Sequence, residues 1–129
     1  MVLLRVLLFI WELPQNLLGL ILIWGAKKMG TRLYTRKLMR SGISLGEFII
    51  LDPVYFQAPI LIYKQTLCHE LGHRRQSRLL GPLYLLLIGL PSITGNILSR
   101  IFSWSEKTYY SQPWEKWADK LGKVTRSYK

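Results

Sequence analysis

The stretch Cys68-His69-Glu70-Leu71-Gly72-His73-Arg74 constrains this chain most, because it holds both histidines of a 129-residue sequence. They stand four positions apart, and on an α-helix residues i and i+4 share a face one turn apart. A helix here therefore aims two imidazoles at one point, which suits a metal ion. Glu70 follows the first histidine and is rotated from it by about 100° on an ideal helix. It flanks the ion instead of ligating it, and from there it can take a proton from a water that the ion polarises.

That spacing is the H-E-x-x-H pattern of zinc hydrolases, in which the ion makes water nucleophilic and the glutamate acts as general base. Such a centre has three protein ligands and one open position. The third ligand is expected from residues 113–122, which read as a short helix capped by Gln112, opened by Pro113 and ended by Gly122. Glu115 and Asp119 are again i and i+4, so both carboxylates share a face. Glu115 is the expected third ligand of one zinc ion per chain. Asp119 is the expected acceptor for a histidine ring N–H, that of His69 in the first instance, fixing its tautomer and orientation. The plainer alternative is two polar histidines and two solvated carboxylates on ordinary helices. With seven acidic residues against 18 basic ones, three acids at the positions a zinc hydrolase needs weigh against it.

His69-Glu70-x-x-His73 followed by Glu115-x-x-x-Asp119 resembles the gluzincin branch of the zincin metallopeptidases. The wider runs at 69–77, 81–84, 89–92 and 115–122 are similar to small bacterial proteins grouped as zincin-type peptidases, and the likeness covers roughly residues 13–122. The resemblance implies a metal-dependent peptidase acting on peptides or proteins, with His69, His73 and Glu115 as ligands and Glu70 as base. It also implies a sheet edge strand beside the metal that binds extended substrate through its main chain, a role that falls to residues 43–50. Trp114 departs from the small polar residue expected before the third ligand.

The fold expected is α+β: a mostly helical, minimal zincin-like domain with a two- or three-stranded sheet beside the active-site helix and an apolar N-terminal helical segment. Residues 31–39 and 43–51 read as strands, with Gly46 as a bulge or a place of close backbone approach. The active-site helix is expected over 62–80, with Gly81-Pro82 ending it. Gly72 inside it would leave room for the strand, or for tight helix packing. Tyr109 and Tyr110 are candidate oxyanion donors, with packing or interfacial anchoring as the alternative.

Residues 1–26 form two apolar runs around Glu12-Leu13-Pro14-Gln15-Asn16, and the sequence divides into this segment and a domain over 27–129. The segment reads as a bent, membrane-inserted helix or hairpin, with an internal core hairpin as the alternative. Residues 79–98 carry no charge and match a span in length. A single crossing there would strand Glu115 on the far side of the bilayer from the histidines. Gly89, Pro91, Ser92 and Gly95 are therefore expected to break the stretch into two short helices folded back on each other, buried in the core or dipping into one leaflet.

The formal charge of +11 lies largely in clusters beside the apolar runs, among them Lys27, Lys28, Arg32 and Arg36. This suits membrane lipid, with the basic side cytoplasmic at a bacterial inner membrane, and no nucleic-acid motif accompanies it. Cys68 is the lone cysteine and reads as a small buried apolar residue or an accessory ligand. The tail over 123–129 is expected to fray. The rivals to a peptidase are a non-catalytic, membrane-associated zinc-binding module whose ion clamps the C-terminal helix, and a small basic membrane or nucleic-acid binding protein that holds no metal.

Overall fold

The computed structural model describes residues 2–126, and these form an α+β chain of six α-helices and one four-stranded sheet. Helices α1 (Val2–Trp11) and α2 (Leu13–Ile23) meet at Glu12 with a bend of 92°. Glu12, Gln15 and Asn16, which as part of an inserted segment would sit at hydrocarbon depth, are instead wholly buried within the protein. Gln15 Nε2 donates to Ser77 Oγ and to the Gly81 carbonyl, both at 2.8 Å, and Ser77 Oγ donates to Glu12 Oε1 at 2.5 Å. Asn16 Oδ1 accepts from the Glu47 N–H at 2.7 Å. A buried polar group left unpaired costs about 1–3 kcal/mol, so this bonding holds the elbow to helix α3 (Ile60–Leu80).

The strands are β1 (Lys27–Lys28), β2 (Leu33–Thr35), β3 (Gly42–Leu45) and β4 (Phe48–Leu51), in the order β1-β2-β4-β3. Strand β4 runs parallel to β2, while β1–β2 and β3–β4 are antiparallel pairs. Two expectations are corrected here. The strand expected over 31–39 shrinks to three residues, and the apolar run 43–51 is a hairpin, which brings the sheet to four strands. Gly46 makes the turn, at φ +61°, and a side chain closes on it: a Cβ there would lie 2.1 Å from Asn16 Oδ1. Leu45, Ile49, Ile50 and Leu51 are almost fully buried and form the core with Tyr84, Ile88 and Ala118.

Helix α3 starts two residues earlier than expected and stops where Gly81 adopts φ +56°. The reversal that keeps residues 79–98 from acting as a simple span is the 3-10 turn Gly81–Leu83, not a break near Pro91. From Leu85 to Ile101 the chain stays helical, as a π turn (Leu85–Gly89) followed by α4 (Leu90–Ile101). Proline removes a backbone donor and crowds the preceding turn, and the widened π geometry just before Pro91 accommodates both.

Helices α5 (Glu106–Tyr110) and α6 (Pro113–Gly122) complete the chain. Gln112 occupies the N-cap position without a side-chain capping bond and donates instead to the Tyr109 carbonyl at 3.0 Å. The left-handed residue at the end of α6 is Lys123, not Gly122. Gly122 and Gly72 serve a different purpose, letting α6 lie directly on α3. A Cβ at Gly122 would stand 2.0 Å from the Cys68 carbonyl oxygen, and one at Gly72 1.8 Å from that of Ala118. Helix packing is therefore the use of Gly72. The start of the tail is anchored: Val124 N–H bonds the Asp119 carbonyl at 2.8 Å and Gln65 reaches the Thr125 carbonyl at 3.3 Å. Residues 127–129 of the tail expected to fray lie outside the described residues.

Candidate metal centre

The close approach of α3 and α6 sets one face of each against the other. His69 and His73 lie one turn apart on α3, and Glu115 faces them from the first turn of α6. Glu115 Oε2 is 2.8 Å from His69 Nε2 and 3.1 Å from His73 Nε2. One donor atom from each residue lies within 4.8 Å of the other two, and all three residues are buried. The three are thus close enough to bind a metal ion.

The outer bonds decide what those inner atoms carry. His69 Nδ1 meets Asp119 Oδ1 at 2.7 Å, and His73 Nδ1 meets Gln76 Oε1 at 2.7 Å. Gln76 Nε2 in turn donates to the Trp114 carbonyl at 2.9 Å, which orients the amide with its oxygen toward the histidine. Both Nδ1 atoms face acceptors and so carry the ring hydrogens. In the neutral rings, each Nε2 then presents a lone pair to an anionic carboxylate oxygen. Two such lone pairs within about 3 Å of one carboxylate oxygen are repelled by it unless a cation or extra protons lie among them. Two imidazoles and one carboxylate are also a common zinc donor set, and bonds of about 2.0–2.1 Å in a tetrahedron put neighbouring ligand atoms roughly 3.3 Å apart. The two separations to Glu115 Oε2 fall about 0.5 Å or less short of that and the two histidine donors lie within 4.8 Å of each other, so small side-chain shifts would let the three residues take the ion.

The electrostatics of the cluster's own groups follow from the same contacts. Burial works against charge on His69, but the Asp119 and Glu115 carboxylates outweigh it and raise its pKa to about 9. Burial would raise Glu115, yet bonds to His69 and His73 hold it far below the usual carboxylate range. Asp119 behaves alike, with burial overridden by His69 and by Arg126. Arg126 grips both carboxylate oxygens, at 2.6 and 2.9 Å, and its guanidinium lies 3.2 Å from the centre of the Tyr110 ring.

A pH dependence follows for metal-free protein. A folded-state pKa of about 9 against 6.5 unfolded gives stabilisation that is complete below pH 6.5 and lost as pH rises through 9. The lowered carboxylates contribute the reverse, present above their unfolded pKa near 4 and lost on acidification. Thermal unfolding in chelator should peak at mildly acid pH and lose up to roughly 3 kcal/mol by pH 9. A midpoint that stays level or climbs over that interval would contradict the protonation pattern described.

Glu70 lies on the cavity side of the pair, almost wholly buried, and Oε2 has no hydrogen-bond partner among the described residues. Burial raises its pKa, against the pull of His73 and His69. The cavity, about 430 Å³, is lined by His69, Glu70, His73, strand β3 and one side of α4. Strand β3 is one of the two edge strands of the sheet, β1 being the other. The Ser44 carbonyl turns away from β4 to accept the Tyr84 hydroxyl at 3.0 Å. In an antiparallel pair both main-chain groups of a residue point the same way, so the Ser44 N–H and the groups of Gly42 also face the open side. Gly42 has no side chain to separate that edge from the base: a Cβ would lie 3.1 Å from Glu70 Oε1.

Tyr109 directs its hydroxyl at Glu115 Oε1, 3.3 Å away, and Tyr110 sets its ring edge-on to His69 with centroids 5.2 Å apart. Cys68 is half-buried and contributes no atom to the cluster. Three residues of the site were missed at the level of sequence, and two of them left no signal there. Ser92 donates a short hydrogen bond to Glu115 Oε1 across 23 positions, and Arg126 lies seven residues from its partner Asp119. Gln76 alone had one, its place three residues after His73 on the same helix. No family model, curated protein or solved structure matches the chain.

Proposed function

We propose that the chain is a zinc-dependent peptidase of the zincin type. The observation that carries this reading is the pairing of a three-donor cluster with a buried carboxylate, Glu70, whose Oε2 has no partner among the described residues, at the wall of a cavity edged by strand β3. His69, His73 and Glu115 would hold the ion. When bound, zinc supplies a Lewis acid that polarises a carbonyl and lowers the pKa of water toward neutrality.

The remaining work falls to the chain's own groups. An extended peptide pairs with the open side of β3 through main-chain hydrogen bonds, which brings its scissile bond past Gly42 toward Glu70. The Glu70 carboxylate takes a proton from the attacking water and returns it to the departing amine, and its raised pKa suits both halves of that transfer. Asp119 keeps the His69 ring in one tautomer, Gln76 does the same for His73, and Arg126 steadies Asp119. Tyr109 is the better placed of the two tyrosines to donate to an oxyanion, because its hydroxyl already reaches the ligand carboxylate.

A structural clamp is the second reading, favoured by the origin of all three donors in two helices packed backbone to backbone. Closed structural sites have a fourth protein ligand, and no further His, Cys, Asp or Glu joins this cluster among the described residues. Elemental analysis of the purified protein tests the shared premise. Wild-type protein should hold about one zinc per chain and His73→Ala almost none. Wild-type protein that retains no metal after mild purification would end both readings.

A further inference from the structure

We propose that this chain binds the surface of an anionic phospholipid bilayer, seating α1, α2 and the outer side of the Leu85–Ile101 helix in one leaflet without crossing it. This does not depend on the peptidase reading. Large apolar side chains of these helices stand exposed, Val2 at 79%, Trp24 at 84% and Leu86 at 63% among them. The helices are joined at one place: Trp11 packs against Gly81 and donates to the Arg78 carbonyl at 2.8 Å, so α1 abuts the turn from which Leu83 and Leu86 follow. The other side of the same rod, through Ser92, Ile93 and Asn96, lines the cavity. One helix thus separates the candidate site from the apolar surface.

Charge selects the occupant. Arg36, which directly follows β2, donates to the Leu22 and Trp24 carbonyls at 2.9 and 3.0 Å, which draws β2 and the basic strand β1 paired with it against the end of α2. Lys27 and Lys28 lie exposed there, three and four residues after Trp24. An apolar helix ending in an interfacial tryptophan and flanked by cations matches acyl chains below and phosphate headgroups above. A second copy of a chain carrying +11 would bring like charges together along the same rim.

Insertion stops at one leaflet because of lengths and bonds. Helices of 10 and 11 residues rise about 15–17 Å each, half a hydrocarbon core. Straightening the 92° elbow into one span would pull Glu12, Gln15 and Asn16 off Ser77, Gly81 and Glu47. No single helix among the described residues is long and apolar enough to cross.

Vesicle flotation with full-length protein tests this, using phosphatidylcholine alone and with 30% phosphatidylglycerol. Wild-type protein should float with the mixed vesicles and bind neutral ones on the order of ten-fold less, with a loss at high salt. The double variant Leu20→Glu/Trp24→Glu should cut binding at least ten-fold, and Lys27→Glu/Lys28→Glu should abolish the preference for anionic lipid. Quenching of wild-type tryptophan fluorescence by lipids brominated near the glycerol end of the acyl chain needs no variant and should exceed quenching by lipids brominated at the chain terminus. Protein that ignores both vesicles, dimerises through this surface, or quenches equally at both depths would overturn the proposal.

Discussion

Glu70→Gln should leave the zinc content at about one per chain while peptide hydrolysis falls by three orders of magnitude or more. The substitution keeps the shape of the side chain and removes its capacity to accept a proton. General acid–base catalysis is worth about 10²–10⁴-fold, and here one group serves both transfers. Because Glu70 contributes no atom to the donor cluster, the metal should be unaffected. Removing a desolvated ionisable group whose Oε2 lacks a partner should also leave the fold as stable as before, or slightly more so. The decisive measurement is kcat on an unstructured protein substrate beside zinc content. Hydrolysis unchanged by the substitution would remove Glu70 as the base, and zinc-loaded wild-type protein that hydrolyses nothing would transfer the case to the structural clamp.

Gly72→Ala should be among the most damaging single substitutions in the chain. At an exposed helical position this change stabilises by about 1 kcal/mol, since alanine is the better helix former. Here the added methyl would stand 1.8 Å from the Ala118 carbonyl oxygen, an obstacle of backbone that no rotamer change can clear. Overpacking costs about 1–3 kcal/mol where side chains can yield, so a rigid contact should exceed the upper value and reverse the propensity gain. The helices must part, and parting carries Glu115 away from His69 and His73. Denaturant unfolding should show a loss of roughly 3 kcal/mol or more together with weakened zinc binding. A variant as stable as wild type would show that α3 and α6 do not touch in this way.

What could be read in the sequence was whatever depends on positions close together. The i, i+4 pairs His69/His73 and Glu115/Asp119 declared both helices and the shared face on each, and Gly81 marked where α3 stops. The hairpin was hidden because Ile43, Leu45, Phe48 and Leu51 look like one apolar strand. The reason it turns at Gly46 is Asn16, thirty residues earlier. Glu12, Gln15 and Asn16 looked like faults in a membrane segment for a similar reason: their partners are remote. Ser92 and Arg126 reach the site only because the Gly81–Leu83 turn and the end of α6 deliver them.

The elbow also has a consequence for the order of events at the ribosome. Its hydrogen bonds to Ser77 and Gly81 span 62 to 66 positions, so the apolar first 23 residues emerge long before their polar partners exist. Loop closure over that distance must precede any reward from those contacts. Until then the nascent chain displays a greasy segment whose amides are bonded only to water, and exposed apolar surface of that kind is prone to aggregate.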